Sequence, residues 1–233
     1  MLALHQQKLY TLTMPTIRSL LFLLLCFTLF QVSAGIAQQS TPYLNLNVQN
    51  GDLLFVGAQK EQLSGAINRV TQRDIDISFD HVGIIEVCET SVYILHANSK
   101  KGSVSEPLDS LVLSETGQKK QFVIYRLTDT DQNSINQAIK TSKTLLGKPY
   151  NWSYVLNDTS YYCSDFVERA FRHAGIFQLE PMTFINPDNQ KIDTFWVDFY
   201  QKLNMDVPEG KLGCNPNGLA SNEHLKRIGY LEH

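Results

Sequence analysis

Cysteine is scarce in this sequence: four in 233 residues, none at CxxC spacing, which withdraws the usual support for a zinc site. Basic charge is not in excess either. Twenty Lys and Arg stand against 23 Asp and Glu, a net charge of −3, so nothing electrostatic draws the chain to nucleic acid or an anionic membrane surface. No Pro/Gly-rich linker, low-complexity tract or internal repeat divides it. A single catalytic-sized domain, residues 38–233, is therefore expected.

Long apolar runs are missing with one exception. Arg18 precedes an almost unbroken apolar stretch from Leu20 to Phe30, and small residues then offer cleavage after Ala34 or Ala37. That order is the anatomy of a secretory signal peptide over residues 1–37. The run falls short of the roughly 20 apolar residues that span a bilayer, so the mature chain is expected to have no stable membrane span. Cys26 follows the large Leu25 inside the run, which argues against lipid attachment. Loss of residues 1–37 removes Lys8 and Arg18 and no acid, taking the net charge to −5. The expected location is secreted or periplasmic.

Export sharpens the cysteine arithmetic. Cys26 leaves with the leader, and Cys88, Cys163 and Cys214 remain. An odd number in an oxidising compartment leaves at least one thiol unpaired. A Cys88–Cys214 bridge is one open pairing. The stretch "SYYCSDFVERAFRHAG" (160–175) singles out Cys163 as the thiol to watch. Phe166, Val167, Ala170, Phe171 and Ala174 recur at helical spacing, with Ser160 or Thr159 as cap and Gly175 as stop. Cys163 then falls in the first turn, where free N–H groups and the positive end of the dipole gather.

The remaining pattern is mixed. "GDLLFVG" (51–57), "HVGIIEVC" (81–88), "VYILHA" (92–97) and "QFVIYRL" (121–127) read as strands, the middle two as an antiparallel hairpin. Residues 58–71, 131–147 and 193–203 read as helices, and 223–231 as either. An α+β fold is expected, with an antiparallel sheet and packed helices. Alternation along the hairpin brings His81 and His96 to one end of the sheet and turns Glu86 to the other face. A histidine there would lower the thiol pKa from about 8.5 and return a proton to a leaving amine. The bland readings are a buried cysteine and solvated strand-end histidines. A zinc site from His81, Cys88 and His96 is disfavoured because Cys88 should point away.

"GDLLF" (51–55), "DHVGII" (80–85), "GKPYNW" (147–152) and "YYCSDFV" (161–167), in that order, resemble the circularly permuted NlpC/P60 peptidases of the YiiX/YebB type. The tail, with "CNPNGLASNEHL" (214–225), is similar as well. The resemblance implies a papain-like core, Cys163 as nucleophile, His81 as general base, and a third, orienting position falling on His96. Many permuted members carry glutamate at that position, and Glu86 is the reserve. Tyr162 and Ser164 flank the nucleophile as candidates for the oxyanion site. Asp52 is expected to fix a turn, and Gly83 to admit a close neighbour. No cofactor and no metal are implied.

The activity this implies is that of an exported cysteine amidase or peptidase acting on a peptide, with a cell-wall muropeptide as the expected substrate. A thiol acyltransferase or lipid-amide hydrolase of the lecithin:retinol acyltransferase type uses the same pair, and an apolar groove with Phe195 and Trp196 would favour it. A catalytically silent peptide-binding module is the third alternative, against which retention of both Cys163 and His81 argues. The oligomeric state is not legible from the sequence.

Overall fold

The apolar runs pair into one sheet. A computed structural model of the chain describes residues 46–231 apart from 74–75, 90 and 116–119; the expected leader, residues 1–37, lies outside them. Strand β1 (Leu53–Gly57) is followed by helix α1 (Gln62–Thr71), the hairpin β2 (Phe79–Cys88) and β3 (Ser91–Asn98), and β4 (Gly102–Pro107). Then come α2 (Leu108–Glu115), β5 (Phe122–Leu127), α3 (Gln132–Thr144) and α4 (Cys163–Phe171). The C-terminal part holds short pairs β6 (Glu180–Pro181) with β9 (Leu212–Gly213) and β7 (Ile185–Asn186) with β8 (Lys191–Ile192), helices α5 (Thr194–Lys202) and α6 (Pro216–Ala220), and β10 (Leu225–Tyr230).

The main sheet has the order β10-β5-β1-β2-β3-β4, and every pairing is antiparallel. Segment 223–231, left open between helix and strand, is thus the edge strand β10. Alternation gives the sheet two faces. Leu53, Phe55, Val82, Ile84, Leu95 and Val123 pack with Phe166, Val167 and Phe171 of α4. Leu54, Val56, Ile85, Ile94 and Ile124 pack with Leu108, Leu111 and Val112 of α2 on the other side. Each such fully buried side chain contributes about 1.5–3 kcal/mol.

Helix α4 starts later than its periodicity predicts. Its N-cap is Tyr162, with extended backbone and no side-chain cap bond, so Cys163 is the first helical residue. The expected caps are used elsewhere: Asn157 Oδ1 accepts from the N–H groups of Thr159 and Ser160, holding both in the preceding turn. At the other end a short 3-10 turn, Arg172–Ala174, leads to Gly175 at φ +64°, the left-handed stop the sequence suggests. Asp52 is buried under a two-pronged ion pair from Arg126, Nε to Oδ1 at 2.7 Å and Nη2 to Oδ2 at 2.8 Å, and also accepts from Gln49 N–H. It fixes the turn into β1. No helix among the described residues is long and apolar enough to cross a membrane.

Candidate active site

Cys163 is buried at the head of α4, where three N–H groups have no partner within the helix. The backbone N–H groups of Val82, Ser164 and Cys163 favour its charged form. The Val82 N–H belongs to the peptide that joins His81 to Val82, so the helix-start thiol lies near the strand that carries the expected base. Burial nevertheless dominates: it pushes the Cys163 thiol up to about 12, with the nearby Asp80 carboxylate adding to the effect and the N–H groups opposing it. The net direction is opposite to the lowering expected from a helix start and a neighbouring histidine.

His81 and His96 do meet. Nε2 of His81 lies 2.7 Å from Nδ1 of His96, with the rings at 76° to one another. The register explains the contact: Ile84 pairs with Leu95, which sets Gly83 beside His96 and His81 one alternation further along the same face. A Cβ at Gly83 would lie 2.9 Å from the His96 Cβ and 2.6 Å from Ile94, so only glycine lets the two strands bring these rings together. His81 is half-buried and its pKa is held well below the ordinary imidazole value, first by burial, then by His96 and Lys120. A neutral ring at neutral pH is what a base requires.

The chain of contacts does not end at His96. That ring is wholly buried, and its Nε2 lies 2.8 Å from Oε1 of Glu106, which also pairs with Lys101. The bond from His96 holds the Glu106 carboxyl down at about 2. Glu106 is the site residue that sequence reasoning misses, because β4 is not predicted as a strand. The signal was present in "GSVSEP": Glu106 sits two residues from Val104, the partner of His96, and so on the same face. Glu86, the reserve candidate, is turned away as expected and pairs with Lys143 of α3 at 2.5 Å.

Tyr162 and Ser164 flank the nucleophile, but their side chains are committed to the C-terminal segment. The Tyr162 hydroxyl accepts from Cys214 N–H at 3.3 Å, and Ser164 Oγ donates to the Cys214 carbonyl at 3.0 Å. What these positions leave for an oxyanion is backbone N–H. Cys88 is exposed near the far end of β2, Cys214 is buried beside the site, and the described cysteines are all free thiols, so the Cys88–Cys214 pairing does not form.

A cavity of about 760 Å³ opens on Cys163. Its wall is mixed, with Val70, Tyr154, Phe184 and Trp196 on one hand and Arg73, Asp80 and Glu180 on the other. Phe195 is not part of the wall; it packs against Trp196 with ring centres 5.5 Å apart.

Three likenesses bear on this site. A family model for permuted papain-like amidases of the YaeF/YiiX type, family C92, matches residues 47–229. The uncharacterised protein YiiX of Escherichia coli K12 is 29% identical over 140 residues, 58% of this chain; the match spans 63% of that relative's length. A crystal structure of YiiX from Escherichia coli O157:H7, described as a metalloprotein, superposes with a TM-score of 0.63 at 22% identity, over 77% of this chain and 95% of the other. The last establishes the papain-like α+β fold.

Proposed function

The chain belongs to the permuted papain-like amidases, and from that premise we propose that it is an exported cysteine amidase or peptidase with Cys163 as nucleophile and His81 as base. The observation that carries this reading is the place of Cys163 at the head of α4 in the wall of a large cavity, with His81 held by His96 on the sheet against which that helix packs. Because the thiol rests protonated, its proton passes to His81 as sulfur attacks the amide carbonyl. First-turn N–H groups at Cys163 and Ser164 lie beside the developing oxyanion. His81 then gives the proton to the departing amine. Water, with His81 again as base, resolves the thioester to a carboxylic acid and restores the thiol.

The lining suits a substrate with both polar and apolar parts. Arg73, Asp80 and Glu180 in the wall offer partners to a polar peptide such as a muropeptide, the substrate class that the sequence resemblance suggests. Tyr154, Phe184 and Trp196 in the same wall support the second reading, a lipid-amide hydrolase or thiol acyltransferase using the same cysteine and histidine. The related structure's description as a metalloprotein finds no counterpart in these side chains. Among the described residues no three His, Cys, Asp or Glu groups converge, and the facing nitrogens of His81 and His96 engage one another, with Glu106 behind. No step is routed through a metal.

Incubation of the protein with defined muropeptides and a series of N-acyl amino acids, read by mass spectrometry, tests the reading. Products that appear with the native protein and vanish with Cys163→Ala support it. Product formation that survives Cys163→Ala overturns it.

A further inference from the structure

We propose that Glu106 is a positioning residue that sets the direction of every proton along the pair of histidines, leaving Nδ1 of His81 bare to receive the thiol proton. The inference rests on the cysteine–histidine reading above, and it names a group that acts only through another.

An ionised carboxylate accepts hydrogen bonds and cannot donate. Oε1 of Glu106 lies 2.8 Å from His96 Nε2, so that nitrogen must carry the hydrogen. While His96 is neutral its ring carries only that one, so its Nδ1 is bare and can only accept. Its partner at 2.7 Å, His81 Nε2, must therefore donate. A neutral His81 that has its hydrogen on Nε2 has none on Nδ1. One carboxylate, two bonds away, thus specifies the tautomer of the base. His96 is wholly enclosed, so water does not compete for its ring nitrogens.

Glu106 acts again when His81 becomes cationic. Its charge favours the imidazolium, against the opposing effects of burial, His96 and Lys120. Asp80, paired with Lys120 and Ser64, faces the thiol and does not enter the relay. A glutamine at 106 keeps the shape but can donate as well as accept, so it no longer dictates a direction.

The test reads ring protons directly and needs no substrate. In protein labelled with ¹⁵N-histidine, two-bond proton–nitrogen spectra at neutral pH distinguish the two tautomers, and His81→Gln and His96→Gln variants assign the rings. Both His81 and His96 should show hydrogen on Nε2 in the native protein. Glu106→Gln should convert His96 to a mixture, or to the Nδ1–H form, with His81 following. Lys101→Ala, which leaves the carboxylate in place, should keep the native pattern and controls for general loosening. Native His96 with its hydrogen on Nδ1, or ring spectra unchanged in Glu106→Gln, would overturn the proposal. Failure of the enzymatic reading is separate: it would show as hydrolysis that persists in Cys163→Ala.

Discussion

The backbone N–H of Val82 favours ionisation of the Cys163 thiol, but burial outweighs it and pushes the thiol up to about 12. Sequence reasoning favours a thiolate from the helix dipole and a neighbouring imidazolium. In the folded chain desolvation outweighs both, because Cys163 is buried along with Tyr161, Tyr162 and Phe166. At pH 7, iodoacetamide should therefore alkylate exposed Cys88 before Cys163, and the Cys163 rate should climb as pH rises toward about 12. Peptide mass spectrometry of a time course decides it. Preferential labelling of Cys163 at pH 6 would mean that the ion pair is already formed at rest.

Removing the orienting ring should cost less than removing nucleophile or base. Cys163→Ala and His81→Ala are expected to abolish turnover on whichever amide the mass-spectrometric survey identifies. His96→Ala should retain a remnant, about 10²- to 10⁴-fold below the native rate, and His96→Gln more than the alanine variant, since an amide can still bond to His81 Nε2. Glu86→Gln should stay within about twofold. Its partner Lys143 is half exposed, and such pairs contribute little. A Glu86→Gln enzyme as weak as His96→Ala would move the orienting role away from His96.

Much of the sheet was legible because its strands obey a simple period. Alternation in "DHVGII" and "VYILHA" correctly places His81 and His96 on one face and Glu86 on the other. The helix 132–144 was legible for the matching reason, with Ile135 and Ala138 buried at helical spacing. "GSVSEP" was not, because a strand of Ser, Gly and Glu carries no apolar alternation; it forms through pairing with β3 and the burial of Glu106 on His96. The start of α4 was misplaced because Ser160 and Thr159 look like caps, and nothing local reveals that Asn157 has already claimed their N–H groups. Contacts that depend on register between distant strands, or on a competing side chain, are tertiary facts.

Acid should loosen the site from its carboxylate end. Glu106 is held at about 2, below its ordinary 4.5, chiefly by the bond from His96. A depressed acid binds fewer protons folded than unfolded, so its contribution is complete above about 4.5 and is lost as pH falls toward about 2. Melting temperatures of native protein and Glu106→Gln, measured from pH 7 down to 2.5, should converge on acidification. A constant gap across that range would show that the Glu106 charge contributes nothing to stability.

Gly83 should be as necessary to the histidine pair as either ring. On β2 it faces Ile94 and His96 across the strand pair, and an added Cβ would lie 2.6 Å from two Ile94 carbons and 2.9 Å from the His96 Cβ. Those neighbours cannot swing aside as a surface side chain would. Ile94 is enclosed in the α2-side core, and His96 is held by bonds at both ring nitrogens. Gly83→Ala must therefore displace β3 from β2 or rotate His96 out of line, at about 1–3 kcal/mol for an overpacked interior. The backbone at Gly83 needs no left-handed conformation, so the penalty is one of space alone. Ile94→Val, which removes a methylene from the crowded side, should recover part of the lost stability in the Gly83→Ala background. Recovery of activity should lag behind it, because the His96 Cβ contact remains. Thermal melts and turnover on the four proteins of this double-mutant cycle measure both effects, and a Gly83→Ala protein with native stability and native turnover would show that the strands can part without disturbing the rings.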